Sequence, residues 1–143
     1  MSLSKLREYH GSFKSICANF AIDLREFEQI FGKDEGFNVW DEDKNGLIDA
    51  LELFSGLILF SEAKFEDKIR CRLDVTSVLF DLFDFNELNS LSMIDVEFML
   101  NCCISSTYKI HSITTELNEE ELAKFVKDNF EDDSRINISQ LIK

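Results

Sequence analysis

The residues best equipped for chemistry lie in one stretch, Asp41 to Glu52, reading DEDKNGLIDALE. It follows the pattern D-x-[DN]-x-[DN]-G-x5-E without a gap. Asp41, Asp43 and Asn45 carry side-chain oxygens at alternate positions of a curling loop. Leu47 contributes only its main-chain carbonyl, so its side chain is free to vary. Asp49, at the ninth position, holds a water or reaches an ion directly. Glu52, on the first turn of the helix that follows, can offer two oxygens at once. Gly46 allows the left-handed backbone that the sharp turn demands. A donor set made only of oxygens, with no nitrogen or sulfur, suits a hard, large cation. Ca²⁺ fits that description. Mg²⁺ is the weaker competitor, because it demands tighter octahedral geometry and keeps more of its water.

Such a loop works only if elements on both sides hold it. Phe37 and Trp40 precede it at helical spacing, and Leu53, Leu57 and Phe60 continue an apolar stripe after it. The whole segment FNVWDEDKNGLIDALELFSGLILF resembles an EF-hand of the calmodulin superfamily, of the calmodulin-like or calcineurin B-like kind. The resemblance implies an incoming helix, a loop and an outgoing helix. It also implies that Ile48, at the eighth position, joins a short two-stranded bridge to a partner loop.

Three weaker repeats extend the resemblance along the chain. AIDLREFEQIF is similar to the second half of such a unit, with Ile22 at the bridging position and Glu26 at the twelfth. Counting back from Glu26 puts Ser15, Cys17 and Asn19 at the first three ligand positions, where they cannot supply the charge an ion needs. This unit reads as vestigial. Residues 84–95, DFNELNSLSMID, place Leu91 at the bridging position. Asp84 and Asn86 stand at the first and third positions, but Leu88 takes the fifth, Asn89 the glycine's place, Ser92 the ninth, and the short Asp95 the twelfth. This unit reads as structural. The tail FEDDSRINISQLIK places Ile136 at a bridge and Gln140 at the twelfth position, with Asn129, Glu131 and Asp133 at the first, third and fifth and Ser134 in the glycine's place. Only the loop 41–52 carries a full ligand set.

The resemblance therefore implies an all-α fold of EF-hand pairs. It implies two small helical lobes, residues 1–64 and 65–143, each with a short two-stranded bridge between loops. Ile22 would pair with Ile48, and Leu91 with Ile136; Ile48 against Leu91 is the alternative if the first unit does not pair.

Local signals fill in the elements. The chain has no proline and few glycines, which favours long helices. A first helix is expected over residues 3–20, with Leu6, Phe13, Cys17 and Phe20 on its apolar side. Asp23 and Glu26 form a D-x-x-E capping box that opens a helix through Phe31. A short helix is expected from Asp34 to Trp40. The SEAK segment after Phe60 marks a turn, and a long helix follows from Phe65 to Phe83, with a break near Asp74 as the alternative. Ser105 to Thr115 reads as a polar linker. Asn118, with Glu121 three residues on, caps a last helix through about Phe130.

Composition narrows the function. A net charge of −13 opposes phosphate contact, so nucleic acid is not an expected partner. It suits a cation binder that docks on a basic amphipathic helix of another protein. No apolar run is long enough to enter a membrane as a span. The opening MSLSKLREYH has no signal-peptide core, and Ser2 is not the glycine that myristoylation needs. A soluble cytoplasmic protein is the expectation. Cys17, Cys71, Cys102 and Cys103 lack zinc spacing and read as free thiols. His10 and His111 are isolated from any nucleophile, so no enzyme is expected. With 14 Phe against 3 Met, the chain reads as built for one dedicated partner rather than many. Two functions stay open. One is a calcium-binding adaptor or regulatory subunit; the other is a constitutive, light-chain-like structural subunit of a large assembly, with a general resemblance to EF-hand proteins of cilia and axonemes.

Overall fold

The computed structural model describes residues 1–61, 72–115, 117–130 and 135–137. In these residues the chain is mostly helical, with one small antiparallel sheet. The elements are α1 (Leu3–Ile16), β1 (Ala21–Asp23), α2 (Leu24–Phe31), α3 (Phe37–Trp40), β2 (Leu47–Asp49), α4 (Ala50–Leu59), α5 (Arg72–Phe83), α6 (Met93–His111) and α7 (Glu119–Asn129). Among the described residues, no helix is long and apolar enough to cross a membrane.

Helix starts follow their caps. Ser2 accepts from the Lys5 amide, and Asn118 from the Glu121 amide. Asp23 and Glu26 form the reciprocal capping box at the head of α2, and Ser92 and Asp95 form another at α6. Gly32 ends α2 at φ 76°, a left-handed conformation that stops the helix without strain.

The strands β1 and β2 pair antiparallel with Ile22 opposite Ile48. A second, isolated bridge joins Leu91 to Ile136, with N–H to carbonyl distances of 2.8 Å in both directions. Both expected pairs are therefore present, and all four residues are buried. Ile48 does not pair with Leu91.

Helix α4 is the centre of the molecule. Ala50, Leu51, Leu53, Phe54, Ser55, Gly56 and Ile58 are all buried, so it is covered on nearly every side. It packs against α1, α5 and above all α6. Buried side chains from Leu6 to Ile136 form a single continuous core. The two halves of the chain thus share one interior. The expected boundary at residues 64 and 65 lies outside the described residues, as do the SEAK turn beyond Ser61, residues 65–71 of the expected long helix, and Cys71.

Three local expectations need correction. Helix α1 stops at Ile16, not at residue 20, because Cys17 is extended and the Asn19 side chain accepts from the Ala21 amide, a local turn that competes with helix. Helix α3 is a single turn that begins at Phe37 rather than Asp34, behind Gly36 at φ 99°. The segment from Ser105, expected as a linker, is helical through His111. Its hydroxyls find partners: Thr107 Oγ1 donates to the Cys103 carbonyl at 2.8 Å, and the single Ser106 hydroxyl proton is shared between the Cys102 carbonyl at 2.5 Å and the Glu52 carbonyl at 2.6 Å. The backbone of α5 continues through Asp74 without a break.

Candidate functional site

The loop 41–52 is a folded turn held by its own polar atoms. Asp41 is largely buried, and both of its carboxylate oxygens face the Gly46 amide, at 3.3 and 3.2 Å. Asp43 Oδ1 accepts from the Asn45 amide, and Asn45 Oδ1 from the Leu47 amide at 2.7 Å. Lys44 and Gly46, at the fourth and sixth positions, both have positive φ, 56° and 81°. Asp49 Oδ1 accepts from the amides of Leu51 and Glu52, capping α4.

The same geometry recurs in the loop after α5. Glu87 and Asn89, again fourth and sixth, have positive φ, 54° and 52°. The Asp84 carboxylate accepts from the Asn89 amide at 2.8 Å, as Asp41 does from Gly46. In the loop before β1, Asn19 repeats the fifth-position turn of Asn45. The chain therefore folds as an internal repeat, and the loops differ in what the twelfth residue does. Glu26 turns back to accept from the Asp23 amide, and Asp95 accepts from Ser92. Both carboxylates are taken up by capping boxes at their own helix starts. Glu52 is not. Its Oε2 lies 2.5 Å from Lys109 Nζ, near the end of α6, in an ion pair about one-fifth exposed on each side.

Asp43, Asn45, Leu47, Asp49 and Glu52 line one concavity of about 400 Å³, together with Trp40 and Lys109. Asp41 does not line it; it accepts from the Gly46 amide and lines a neighbouring concavity that Glu52 and Lys109 share. The donors are all oxygens, so their chemistry fits a hard cation. Their placement fits in part. Among the described residues, no three acidic, histidine or cysteine side chains are gathered tightly enough to hold an ion as they stand. Each carboxylate is engaged within the protein: Asp41 by the Gly46 amide, Asp43 by Asn45, Asp49 by the Leu51 and Glu52 amides, and Glu52 by Lys109. The fourth loop expected near Ile136 has its Glu131, Asp133, Ser134 and Gln140 outside the described residues; Asn129 ends α7 and donates to the Phe125 carbonyl.

A larger concavity of about 550 Å³ lies between α1 and the loop after α5, lined by His10, Cys17, Phe20, Asp81 and Phe85 among others. Burial, then the neighbouring Lys14, hold the His10 pKa below the usual histidine value, with Asp81 opposing them. Burial, then Glu26 and Asp23, push the Cys17 thiol up to about 11. A neutral imidazole and a protonated thiol make a poor nucleophilic pair. Burial likewise raises Cys102 to about 12 and Cys103 to about 11, and Cys17, Cys102 and Cys103 are free thiols.

Lys109 is the residue that sequence reading missed at this site. It comes from a stretch assigned to a linker, 57 residues from its partner, and no local spacing announces such a contact. No family model matches the chain, and no curated protein does either.

Proposed function

We propose that this chain is an EF-hand protein that binds one Ca²⁺ in the loop 41–52 and serves as an adaptor or regulatory subunit on a helical segment of a partner. The observation that carries the reading is the loop itself. The turn from Asp41 to Gly46 is preformed, and five of the six ligand positions open onto one concavity of oxygen donors. Asp41, Asp43, Asn45, Asp49 and Glu52 would hold the ion through side chains, and Leu47 through its carbonyl. A bound dication would offset the mutual repulsion of the four carboxylates. The two bridged loop pairs and the repeated positive-φ turns support an EF-hand pairing of first with second and third with fourth units.

The partner end of the reading rests on charge and exposed apolar surface. The net charge is −13, and Ile94, Phe98 and Phe125 are exposed on α6 and α7. A helix apolar on one face and basic on the other would complement both. The second reading, a constitutive structural subunit, is favoured by one observation: Glu52 already has an internal cationic partner in Lys109. Calorimetric titration of the whole chain with Ca²⁺ separates the two. We expect one site with a dissociation constant on the order of 10⁻⁷ to 10⁻⁵ M, weaker for Mg²⁺. No heat of binding up to millimolar Ca²⁺ would favour the structural subunit.

A further inference from the structure

Glu52 is held from the far half of the chain at two points. Lys109 Nζ meets its carboxylate, and Ser106 Oγ lies 2.6 Å from its main-chain carbonyl. Ser106 and Lys109 are three residues apart on α6 and so share a face. Ser106 is fully buried. Lys109 Nζ also lies 3.5 Å from the carbonyl of Trp40, the residue just before the first ligand position. The ammonium therefore bridges the entry and the exit of the loop 41–52.

We propose that Lys109 is a tethered cation that occupies the twelfth ligand of this loop, so that metal binding and docking of the last turn of α6 exclude one another. The inference rests on reading the loop as a cation site, and it names how that site is regulated. A carboxylate that serves an ion through both oxygens cannot keep an ammonium on Oε2, and two cations a few ångströms apart repel. With each partner about one-fifth exposed, solvent does not erase the pair. Lysine suits the exchange, because its compact, strongly hydrated head on a flexible stem can leave for water where an arginine fork would stay. Ser106, one turn back, grips the main chain of Glu52 rather than its side chain, so it survives the exchange. Only the final turn, Thr107 to His111, is then released. Tyr108, Lys109, Ser112 and Ile113 line a neighbouring concavity of about 540 Å³ with Val39 and Glu52, so that turn is where the change would be felt. Linkage makes the coupling reciprocal: a partner that draws this turn away raises the affinity for metal.

Calorimetry on the full chain tests this with Ca²⁺ alone. Lys109→Met should tighten Ca²⁺ about tenfold, whereas Lys109→Arg should bind no tighter than the unaltered chain. In chelator, Lys109→Met should melt earlier than the unaltered chain, and saturating Ca²⁺ should close that gap. On the unaltered chain, Ca²⁺ should speed hydrogen exchange at the amides of residues 109–111 while residues 99–106 stay protected. Equal or weaker binding by Lys109→Met, or unchanged exchange at 109–111, overturns the latch while leaving the loop as a site. Absence of Ca²⁺ binding by both the unaltered chain and Lys109→Met overturns the site reading and the latch with it.

Discussion

At the scale of single residues, what sets one loop apart is where its twelfth side chain goes. Glu26 and Asp95 lie in capping boxes, which hold each carboxylate against its own helix start. In the central loop Asp49 alone caps α4, leaving Glu52 free to reach elsewhere. That distinction was partly legible in the letters. The D-x-x-E of residues 23–26 announced its capping box, and Asp95 is too short to serve both roles. His10 offers a separate residue-scale test. Its ring stacks against Phe13 and meets Phe54 edge-on, and Nε2 has no hydrogen-bond partner among the described residues. Because its folded pKa lies below the unfolded value, the unfolded chain binds the extra proton first as pH falls. Stability is therefore full above about pH 6.5 and declines from there toward the lowered folded pKa. His10→Phe should flatten the melting temperature across that window; an unchanged slope would show that other groups govern it.

At the scale of elements, the packing of α4 against α6 organises the site. The indole of Trp40 lies over Gly56 on α4, close to Ser106 on α6, so the helix that leads into the loop is wedged at this interface. A Cβ on Gly56 would overlap the Trp40 ring, with Ser106 Cβ behind it at 3.2 Å. Alanine would gain about 1 kcal/mol in helix propensity. Displacing a buried ring costs more, about 1–3 kcal/mol. Gly56→Ala should thus lower the melting temperature and weaken Ca²⁺ binding together; a raised melting temperature would mean that the ring moves aside freely. This interface could not be read from the sequence. The run of Ser and Thr after Cys103 signals a linker only while its hydroxyls lack partners, and here the helix's own carbonyls and Glu52 supply them. The early end of α1 was missed for the converse reason: Phe20 continues the apolar spacing, yet it leaves the helix to pack on Phe13 and Phe85.

At the scale of the whole molecule, the helical class and the loop positions were legible because each is encoded within about a dozen neighbouring residues. The two bridging pairs join distant residues and were expected only from the family resemblance. The sharing of one core by the two halves was not legible, since it depends on which helix faces meet across the chain. Its consequence is testable. A fragment of residues 1–64 would expose Leu53, Phe54 and Ile58, now buried in the shared interior. We expect that fragment alone to show poor amide dispersion and a broad melt, and mixing it with residues 65–143 to restore the folded spectrum. A sharp, cooperative melt of the fragment by itself would contradict this. The central claim, one working cation site at residues 41–52, is tested most directly by counting bound Ca²⁺ with native mass spectrometry at micromolar free ion. We expect one ion on the unaltered chain, one on Asp84→Ala and none on Glu52→Gln. No ion on the unaltered chain, a second ion, or loss of the ion in Asp84→Ala with retention in Glu52→Gln would contradict it.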